Sequence, residues 1–368
     1  MSLRLPDYGR TSLADLLPSI GAQLGMPHTE DVIGLPSSEK YLVVLIDGLG
    51  ASLLDEFADQ APYLASLRGR QLTCGVPSTT ATSITSLGTG LAPGRHGLAG
   101  YSFWYPPIRQ VLATLRWPAA VSALDVQPQL TYFERLQAAG VATAVIAPGH
   151  FAGSGLSTAA LRGPAFLPVH DESDQARRVE LAAQAMSLGE RAAGYLYERN
   201  LDHAGHERGV GSAAWLRRLA EVDALARAVR SALSDEVCIV VTGDHGMVNV
   251  PTDNRLVVED EPALLEGVTA FAGEGRLRQL MTAQPEAVAA RWRDRMGESA
   301  WVRTRAEAAA EGWFGPLSPS LAPRFGDVLV ARSDDGAVMT RTLPREMSLV
   351  GMHGSLTAAE MEIPLLIG

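Results

Sequence analysis

The chain has 368 residues, 46% of them hydrophobic, which is enough to bury a large core. Its net charge of −10 disfavours nonspecific nucleic-acid binding, which depends on a field of lysine and arginine. Its two cysteines, Cys74 and Cys238, exclude a disulfide framework and a zinc site built from thiolates. Because Lys40 is the only lysine, Schiff-base chemistry and a Gly-Lys-Ser/Thr phosphate-binding loop are not expected either.

No stretch of the sequence approaches the roughly 18 consecutive apolar residues that a membrane span requires. The first residues also lack the apolar core of a secretory signal. We therefore expect a cytoplasmic protein without a membrane span.

Apolar runs alternate with helical patterns over the first two thirds of the chain. In chain order they predict a strand at residues 41–46, a helix at 131–139, a strand at 141–146, a weaker strand at 195–197, a helix at 212–233 and a strand at 237–242. The first and last strands are unbroken apolar runs, typical of strands buried on both faces. The alternation predicts an α/β fold with a mostly parallel sheet sandwiched by helices.

The sequence changes character between residues 251 and 323. Trp292, Trp301 and Trp313 stand there among alanine, arginine and glutamate, with little strand pattern. We interpret residues 251–323 as a smaller cap or insertion within a single α/β domain formed by residues 1–368. The apolar run at 327–331 is interpreted as the return to the core.

Six side chains with metal-binding groups stand near the predicted strand ends or in short glycine-containing motifs. Ligands gather at the carboxyl ends of parallel strands, so residues that follow these strands are expected to converge. Three carboxylates and three imidazoles suit two divalent cations, with Zn²⁺ favoured over magnesium and Mn²⁺ as an alternative. The six candidates are Asp47, Asp202, His206, Asp244, His245 and His353.

Each candidate also has a purely structural explanation. An Asp-Gly pair after a strand is most often a turn, an Asp-x-x-x-His pair is usually solvated, and a histidine between glycines can cap a turn. The order of the motifs and their places after strands favour the metal-binding interpretation. Four of the remaining histidines are interpreted as structural: His28, His96, His150 and His170. The role of His203 stays open.

Residues 77–87 are dense in hydroxyl side chains, which usually indicates a flexible loop. However, Ile84 and Leu87 are spaced for one helix face, and Gly88 and Gly90 follow as stop signals, so a short helix is predicted to begin near Thr80. A helix N terminus offers unpaired N–H groups to an anion. A Thr80 hydroxyl bound to a metal there would be an activated nucleophile.

Five blocks of the sequence together resemble the type I phosphodiesterase/nucleotide pyrophosphatase branch of the alkaline phosphatase superfamily. They occur in the order typical of that family and span residues 45 to 354. The blocks are Leu45-Ile46-Asp47-Gly48, Pro77-Ser78-Thr79-Thr80 with the glycine-rich stretch ending in His96-Gly97, Asp202-x-x-Gly205-His206, Gly243-Asp244-His245-Gly246-Met247 and Gly351-x-His353-Gly354.

The resemblance implies an alkaline-phosphatase-like core and a site with two metal ions. One ion would be held by Asp202, His206 and His353, and the other by Asp47, Asp244, His245 and the Thr80 oxygen. Members of this family hydrolyse phosphodiester or pyrophosphate bonds of nucleotides, and some cleave lipid phosphodiesters or phosphonates. We therefore expect a small phosphate ester as substrate and a covalent phosphothreonine intermediate.

One position departs from the pattern of the family. Diesterases commonly carry an asparagine three residues after the nucleophile to hold a phosphoryl oxygen, whereas this chain has Ser83, which we predict to be a substrate contact. We expect a hydrolase of phosphodiester or pyrophosphate bonds, with a phosphonate hydrolase or a phosphomonoesterase of the same superfamily as alternatives. A metal-binding protein without catalysis is the alternative from another class. The aromatic residues after the nucleophile block would stack on substrate or pack in the core, and core packing is favoured: Tyr101, Phe103, Trp104 and Tyr105.

Overall fold

The computed structural model describes residues 2–368, apart from the side chain of Arg68. The first half of the chain forms α1 Leu16–Gln23, β1 Lys40–Ile46, α2 Ala51–Glu56, α3 Pro62–Ser66, β2 Arg68–Thr73, α4 Thr80–Thr89, α5 Pro93–His96, β3 Ser102–Tyr105, β4 Gln110–Ala113, α6 Ala123–Val126, α7 Tyr132–Ala138, β5 Ala142–Pro148, α8 Gly155–Leu161, β6 Ala165–Val169 and α9 Gln175–Met186. The second half forms β7 Ala192–Glu198, α10 Asn200–Arg208, α11 Ala213–Ala232, β8 Val237–Gly243, β9 Val248–Asn249, β10 Arg255–Val257, β11 Val268–Glu274, β12 Leu277–Thr282, α12 Pro285–Met296, β13 Ala300–Thr304, α13 Arg305–Ala310, β14 Val328–Arg332, β15 Ala337–Met339, β16 Gly351–Met352, α14 Ala358–Met361 and β17 Glu362–Ile367.

A seven-stranded sheet lies at the centre, in the order β2–β17–β8–β1–β7–β5–β6. The five strands from β8 to β6 are parallel, and β17 runs antiparallel to both of its neighbours. Helices flank this sheet, so the predicted α/β fold with a mostly parallel sheet is confirmed. The strands predicted from apolar runs correspond to β1, β5, β7 and β8, and β7 is longer than its weak pattern indicated.

The central strand β1 is buried on both faces, as its unbroken apolar run predicts. Alternate side chains of a strand point to opposite faces, so the run divides between two hydrophobic clusters. Tyr41, Val43 and Leu45 belong to one cluster, and Leu42, Val44 and Ile46 belong to the other. Because both faces of the sheet are covered, polar side chains gather at the ends of the strands.

The predicted helices form, and side-chain caps begin two of them. Thr131 caps α7 by accepting a hydrogen bond from the Glu134 N–H, and Glu134 bonds back in a capping box. Ser212 accepts a hydrogen bond from the Trp215 N–H at the start of α11. Within residues 2–368, no helix is both long enough and apolar enough to cross a membrane.

A second, four-stranded antiparallel sheet has the order β11–β12–β14–β13. Helix α12 packs on it, and Trp292 is fully buried in the hydrophobic cluster of this region. The strand predicted at residues 327–331 forms as β14 and pairs with β12 and β13, while Leu329 and Ala331 lie in the same hydrophobic cluster as the β1 residue Val43. An apolar run predicts a buried strand but not its partners. The boundaries 251–323 for the cap stay a prediction.

Candidate metal centre

The ends of three neighbouring core strands bring the predicted ligands together. Strand β1 lies between β7 and β8, and the parallel registers align Ile46 with Glu198 on one side and with Gly243 on the other. The residues that follow these strand ends therefore meet at one edge of the sheet: Asp47 after β1, Asp244 and His245 after β8, and Asp202 in the first turn of α10 after β7.

Asp47, Asp244 and His245 form a group that we call the inner trio. The Nε2 atom of His245 lies 3.3 Å from Asp47 Oδ1 and 3.4 Å from Asp244 Oδ2. All three side chains are buried, and Asp244 Oδ2 has no hydrogen-bond partner. The other carboxylate oxygen, Asp244 Oδ1, accepts a hydrogen bond from the Gly48 N–H. A buried carboxylate oxygen without a donor is costly unless a cation faces it.

Asp202, His206 and His353 form the outer trio. His206 Nε2 lies 3.4 Å from Asp202 Oδ2 and 3.3 Å from His353 Nε2. The Asp202 and His206 side chains are 15% and 24% exposed, so this trio is more open to solvent than the inner one. In each trio, one ligand atom per residue lies within 4.8 Å of the other two. This spacing matches a shared cation.

The three histidines present the same ring atom to the centre. Their Nδ1 atoms lie 2.8–2.9 Å from backbone carbonyl oxygens, at Gly351 for His206, Gly246 for His245 and Ser78 for His353. A carbonyl accepts only, so Nδ1 carries the hydrogen and Nε2 is the nitrogen that turns inward. The Nε2 atoms of His206 and His353 lie 3.3 Å apart. One buried carboxylate oxygen on Asp202 and one on Asp244 have no hydrogen-bond donor. These inward-facing atoms fit two divalent cations.

The pKa values of the metal-free protein follow from this crowding of charge. Burial raises the pKa of Asp202 and of Asp244 well above the usual carboxyl range. Burial disfavours the charged form of His245, but the charges of Asp244 and Asp47 outweigh it and raise the pKa of His245 to about 10. Burial lowers the pKa of His353, so its imidazole is neutral and suited to a metal.

The predicted helix after Pro77 forms as α4, which begins at Thr80 and ends where Gly90 adopts a φ of +66°. Thr80 is half-buried, and its Oγ1 lies 3.2 Å from His245 Nε2 and 3.3 Å from Asp47 Oδ1. Its hydroxyl therefore lies beside the inner trio, at the N terminus of a helix.

The loop that carries His353 is fastened to the segment before Thr80. Ser78 Oγ donates to the Ser355 carbonyl at 2.6 Å and accepts from the Gly354 N–H at 3.1 Å. The Ser78 N–H donates to the Gly354 carbonyl at 3.2 Å. These bonds join two sequence blocks that lie far apart in the chain and fix the outer trio relative to Thr80.

A sequence profile of the type I phosphodiesterase/nucleotide pyrophosphatase family matches residues 41–356. The chain belongs to this family. The match spans the inner trio, the outer trio and Thr80, and it agrees with the resemblance that the five blocks indicated. A search of curated protein sequences found no match.

Solved structures of similar fold include nucleotide pyrophosphatase/phosphodiesterases and a phosphonoacetate hydrolase. An inactive threonine-to-alanine variant of murine ectonucleotide pyrophosphatase/phosphodiesterase 5, in complex with AMP, has a TM-score of 0.70 and 18% identity over 89% of this chain and 87% of that chain. The human protein of the same name has a TM-score of 0.70 and 17% identity over the same shares. Phosphonoacetate hydrolase from Sinorhizobium meliloti, in complex with phosphonoformate, has a TM-score of 0.68 and 18% identity over 90% of each chain. These likenesses establish the fold.

Ser83, where this chain departs from the diesterase pattern, lies one turn after Thr80 on α4. Its side chain is buried, and its Oγ has no hydrogen-bond partner. The substrate contact predicted for Ser83 stays a prediction. Within residues 2–368, with the side chain of Arg68 left aside, no hydrogen bond or ion pair joins an arginine to Thr80 or to any of the six ligand side chains.

Two further residues touch the centre and were not predicted from the sequence. Tyr197, at the end of β7, donates a hydrogen bond from its hydroxyl to Asp47 Oδ2. Glu274, the last residue of β11 in the second sheet, accepts a hydrogen bond from Thr79 Oγ1 at 3.3 Å. Burial raises the pKa of Glu274 to about 8. Tyr197 lies near the end of β7, the strand next to β1, so the sequence offered a signal for it, whereas nothing local to Glu274 marks that residue.

Several other side chains have structural roles. Phe103 and Tyr105 are buried in the core, which excludes them from stacking on a substrate. The Leu98 N–H donates to Nδ1 of His96, so the hydrogen of His96 lies on Nε2, which bonds to Ser86 Oγ. Burial lowers the pKa of His96 to about 3, as befits a neutral structural imidazole.

Metal binding to the inner trio is expected to release protons at pH 7. The pKa of His245 in the metal-free protein is about 10, and a metal binds only neutral Nε2, so zinc affinity should rise as the pH increases towards that value. Calorimetric titrations with Zn²⁺ in two buffers of different ionisation enthalpy measure the protons released. A His245→Gln variant should release fewer, and zinc binding that is independent of pH would contradict the expectation.

Proposed function

We propose that the chain is a two-metal hydrolase of phosphodiester or pyrophosphate bonds, acting on small phosphate esters with Thr80 as its nucleophile. The observation that carries the proposal is the position of Thr80 Oγ1, 3.2 Å from His245 Nε2 and 3.3 Å from Asp47 Oδ1 at the start of α4. A nucleophile beside a ligand cluster is what in-line phosphoryl transfer requires. The inactive threonine-to-alanine variant of the murine relative in complex with AMP supports the same assignment.

The ligand geometry supports one ion at each trio. The inner trio and Thr80 Oγ1 would hold one divalent ion, and the outer trio would hold the other. When bound, the ions would lower the pKa of the nucleophile and of a water molecule and would offset charge on the leaving oxygen. The imidazole ligands favour Zn²⁺, with Mn²⁺ as the alternative.

The proposed reaction is a double displacement. The Thr80 hydroxyl, which is hydrogen-bonded to Asp47 Oδ1 at 3.3 Å, gives up its proton to solvent, so that Asp47 stays ionised as a ligand of the inner trio. The Oγ1–P bond then forms as the bond to the leaving oxygen breaks, which gives a phosphothreonine intermediate. The leaving oxygen keeps the electron pair of the broken bond and takes a proton from solvent. In the second step, water attacks the phosphorus, releases the phosphate product and restores the Thr80 hydroxyl.

The charge of the centre favours a diester over a monoester. The six ligands include three carboxylates, so two dications would leave about one positive charge, which deprotonated Thr80 would cancel. No arginine is bonded to the centre in the described part of the chain to bind the extra charge of a monoester. A singly charged diester is therefore the better match.

Metal-loaded protein is expected to show a higher kcat/KM on bis-p-nitrophenyl phosphate than on p-nitrophenyl phosphate. The preference should be at least about fivefold, because one uncompensated charge near the centre is worth about 1 kcal/mol or more. A Thr80→Ala preparation treated in the same way measures contaminating phosphatase. A strong preference for the monoester would overturn the diesterase proposal.

A phosphonate hydrolase is the second candidate. The similarity of fold to phosphonoacetate hydrolase supports it, as does the absence of the asparagine that diesterases commonly carry where this chain has Ser83. Phosphonoacetate, added as a third substrate to the same assay, separates the two proposals. Phosphate release from phosphonoacetate with a higher kcat/KM than either aryl ester would favour the phosphonatase.

A further inference from the structure

Thr79 occupies the N-cap position of α4 but does not cap the helix with its side chain. Serine and threonine at this position usually accept a hydrogen bond from a backbone N–H of the first turn. In the described helices of six or more residues that begin after serine or threonine, the other four N-cap residues do so: Thr131, Ser154, Ser212 and Thr304. Helix α4 is therefore the exception among them.

The hydroxyl of Thr79 is turned towards the second sheet instead. It donates to Glu274 Oε2 at 3.3 Å, and Thr79 is buried. The first N–H of α4 to find a partner is that of Ser83, which donates to the Thr79 carbonyl at 2.9 Å. The N–H groups of residues 80–82 make no hydrogen bond, and they belong to the helix end that carries Thr80. A helix N terminus with free N–H groups attracts anions.

The surroundings of Glu274 hold its carboxyl group in this position. Its side chain is 12% exposed, and Oε2 lies 3.7 Å from His353 Nδ1. Gly354 has a φ of +129°, and a Cβ there would lie 2.7 Å from Glu274 Cγ, so the glycine leaves the space that this side chain fills. The second sheet thus places one carboxyl group at the junction between the start of α4 and the loop that carries His353.

We infer that Glu274 is a positioning residue that keeps the Thr79 hydroxyl off the N terminus of α4, so that the N–H groups of residues 80–82 are left for the phosphoryl oxygens of the substrate. The inference rests on the proposed function for the identity of the anion. In this way the second sheet contributes to substrate binding through the hydrogen bond between Thr79 and Glu274, although Glu274 itself neither touches the substrate nor holds a metal.

A double-mutant cycle between Glu274 and Thr79 tests the inference. Glu274→Met keeps the length of the side chain but cannot accept a hydrogen bond, which frees the Thr79 hydroxyl to cap the helix. Thr79→Val removes that hydroxyl. The readout is the affinity of the zinc-loaded protein for inorganic phosphate, measured by calorimetry, which needs no catalytic turnover.

Glu274→Met alone is expected to weaken phosphate binding about tenfold, because an N-cap hydrogen bond that must be displaced is worth about that much in affinity. In the Thr79→Val background the same substitution should have no further effect, since no hydroxyl remains to cap α4. Glu274→Gln retains an acceptor oxygen and should stay within about threefold of the wild type. Glu266→Gln, an exposed carboxyl group elsewhere in the same region, is the matched control.

Additive effects of the two substitutions would overturn the inference, as would unchanged phosphate affinity in Glu274→Met. Loss of one zinc ion in Glu274→Met would also overturn it, because Glu274 would then act through His353. If Glu274→Met does not fold, Glu274→Ala takes its place in the same cycle. A wild type that binds phosphate but hydrolyses no diester would refute the proposed function and leave this cycle interpretable.

Discussion

Replacing Thr80 by alanine is expected to lower kcat for diester hydrolysis by at least about a thousandfold, because the attacking oxygen is removed. Both trios should remain intact, since Thr80 Oγ1 is the seventh candidate ligand and the other six do not depend on its side chain. The measurement is kcat on bis-p-nitrophenyl phosphate, with zinc content determined on the same preparation.

Thr80→Ser is the matched control, because it keeps a hydroxyl at the start of α4 and should retain much of the activity. A Thr80→Ala protein with normal zinc content and full activity would show that Thr80 is not the nucleophile. Activity lost together with zinc would instead show that Thr80 acts mainly as a ligand.

Substitutions in the two trios are expected to remove the ions one at a time. Asp244→Ala should abolish binding at the inner trio and leave one zinc ion per chain, with kcat lowered at least about a thousandfold. Asp202→Ala should likewise abolish binding at the outer trio. Because the ligands of the outer trio are more exposed, the ion held there should exchange faster in the wild type than the ion of the inner trio. Elemental analysis after dialysis measures the number of zinc ions per chain in each variant.

Glu207→Gln is the control for these variants, because Glu207 is exposed and adjoins His206 without belonging to either trio. It should keep two ions and full activity. An Asp244→Ala protein that still held two zinc ions would contradict the assignment of the inner trio.

The sequence was most informative where local pattern and chemistry coincide. The unbroken apolar run before Asp47 predicts a strand buried on both faces of a parallel sheet, and β1 is such a strand between β7 and β8. Four ligand side chains follow the ends of these strands, so their convergence could be predicted from the sequence: Asp47, Asp202, Asp244 and His245. The start of α4 at Thr80 was predicted from the spacing of Ile84 and Leu87 and from the following glycines.

The sequence was least informative where partners lie far apart in the chain. The strand β14 was predicted in place, but its pairing with β12 and β13 was not, because hydrophobicity marks burial and not the neighbouring strand. Glu274 comes from the second sheet and meets Thr79 across 195 positions of the chain, which no local spacing encodes. The contact between Tyr197 and Asp47 depends on the register of β7 beside β1.

The central claim is that hydrolysis proceeds through a covalent intermediate on Thr80, and the most direct test is the stereochemical outcome at phosphorus. The substrate would be a phosphorothioate diester of one configuration, hydrolysed in isotopically labelled water by the zinc-loaded protein. Two successive in-line displacements each invert the phosphorus, so the double displacement predicts overall retention. Overall inversion would show that water attacks the substrate directly, and it would contradict the assignment of Thr80 as nucleophile.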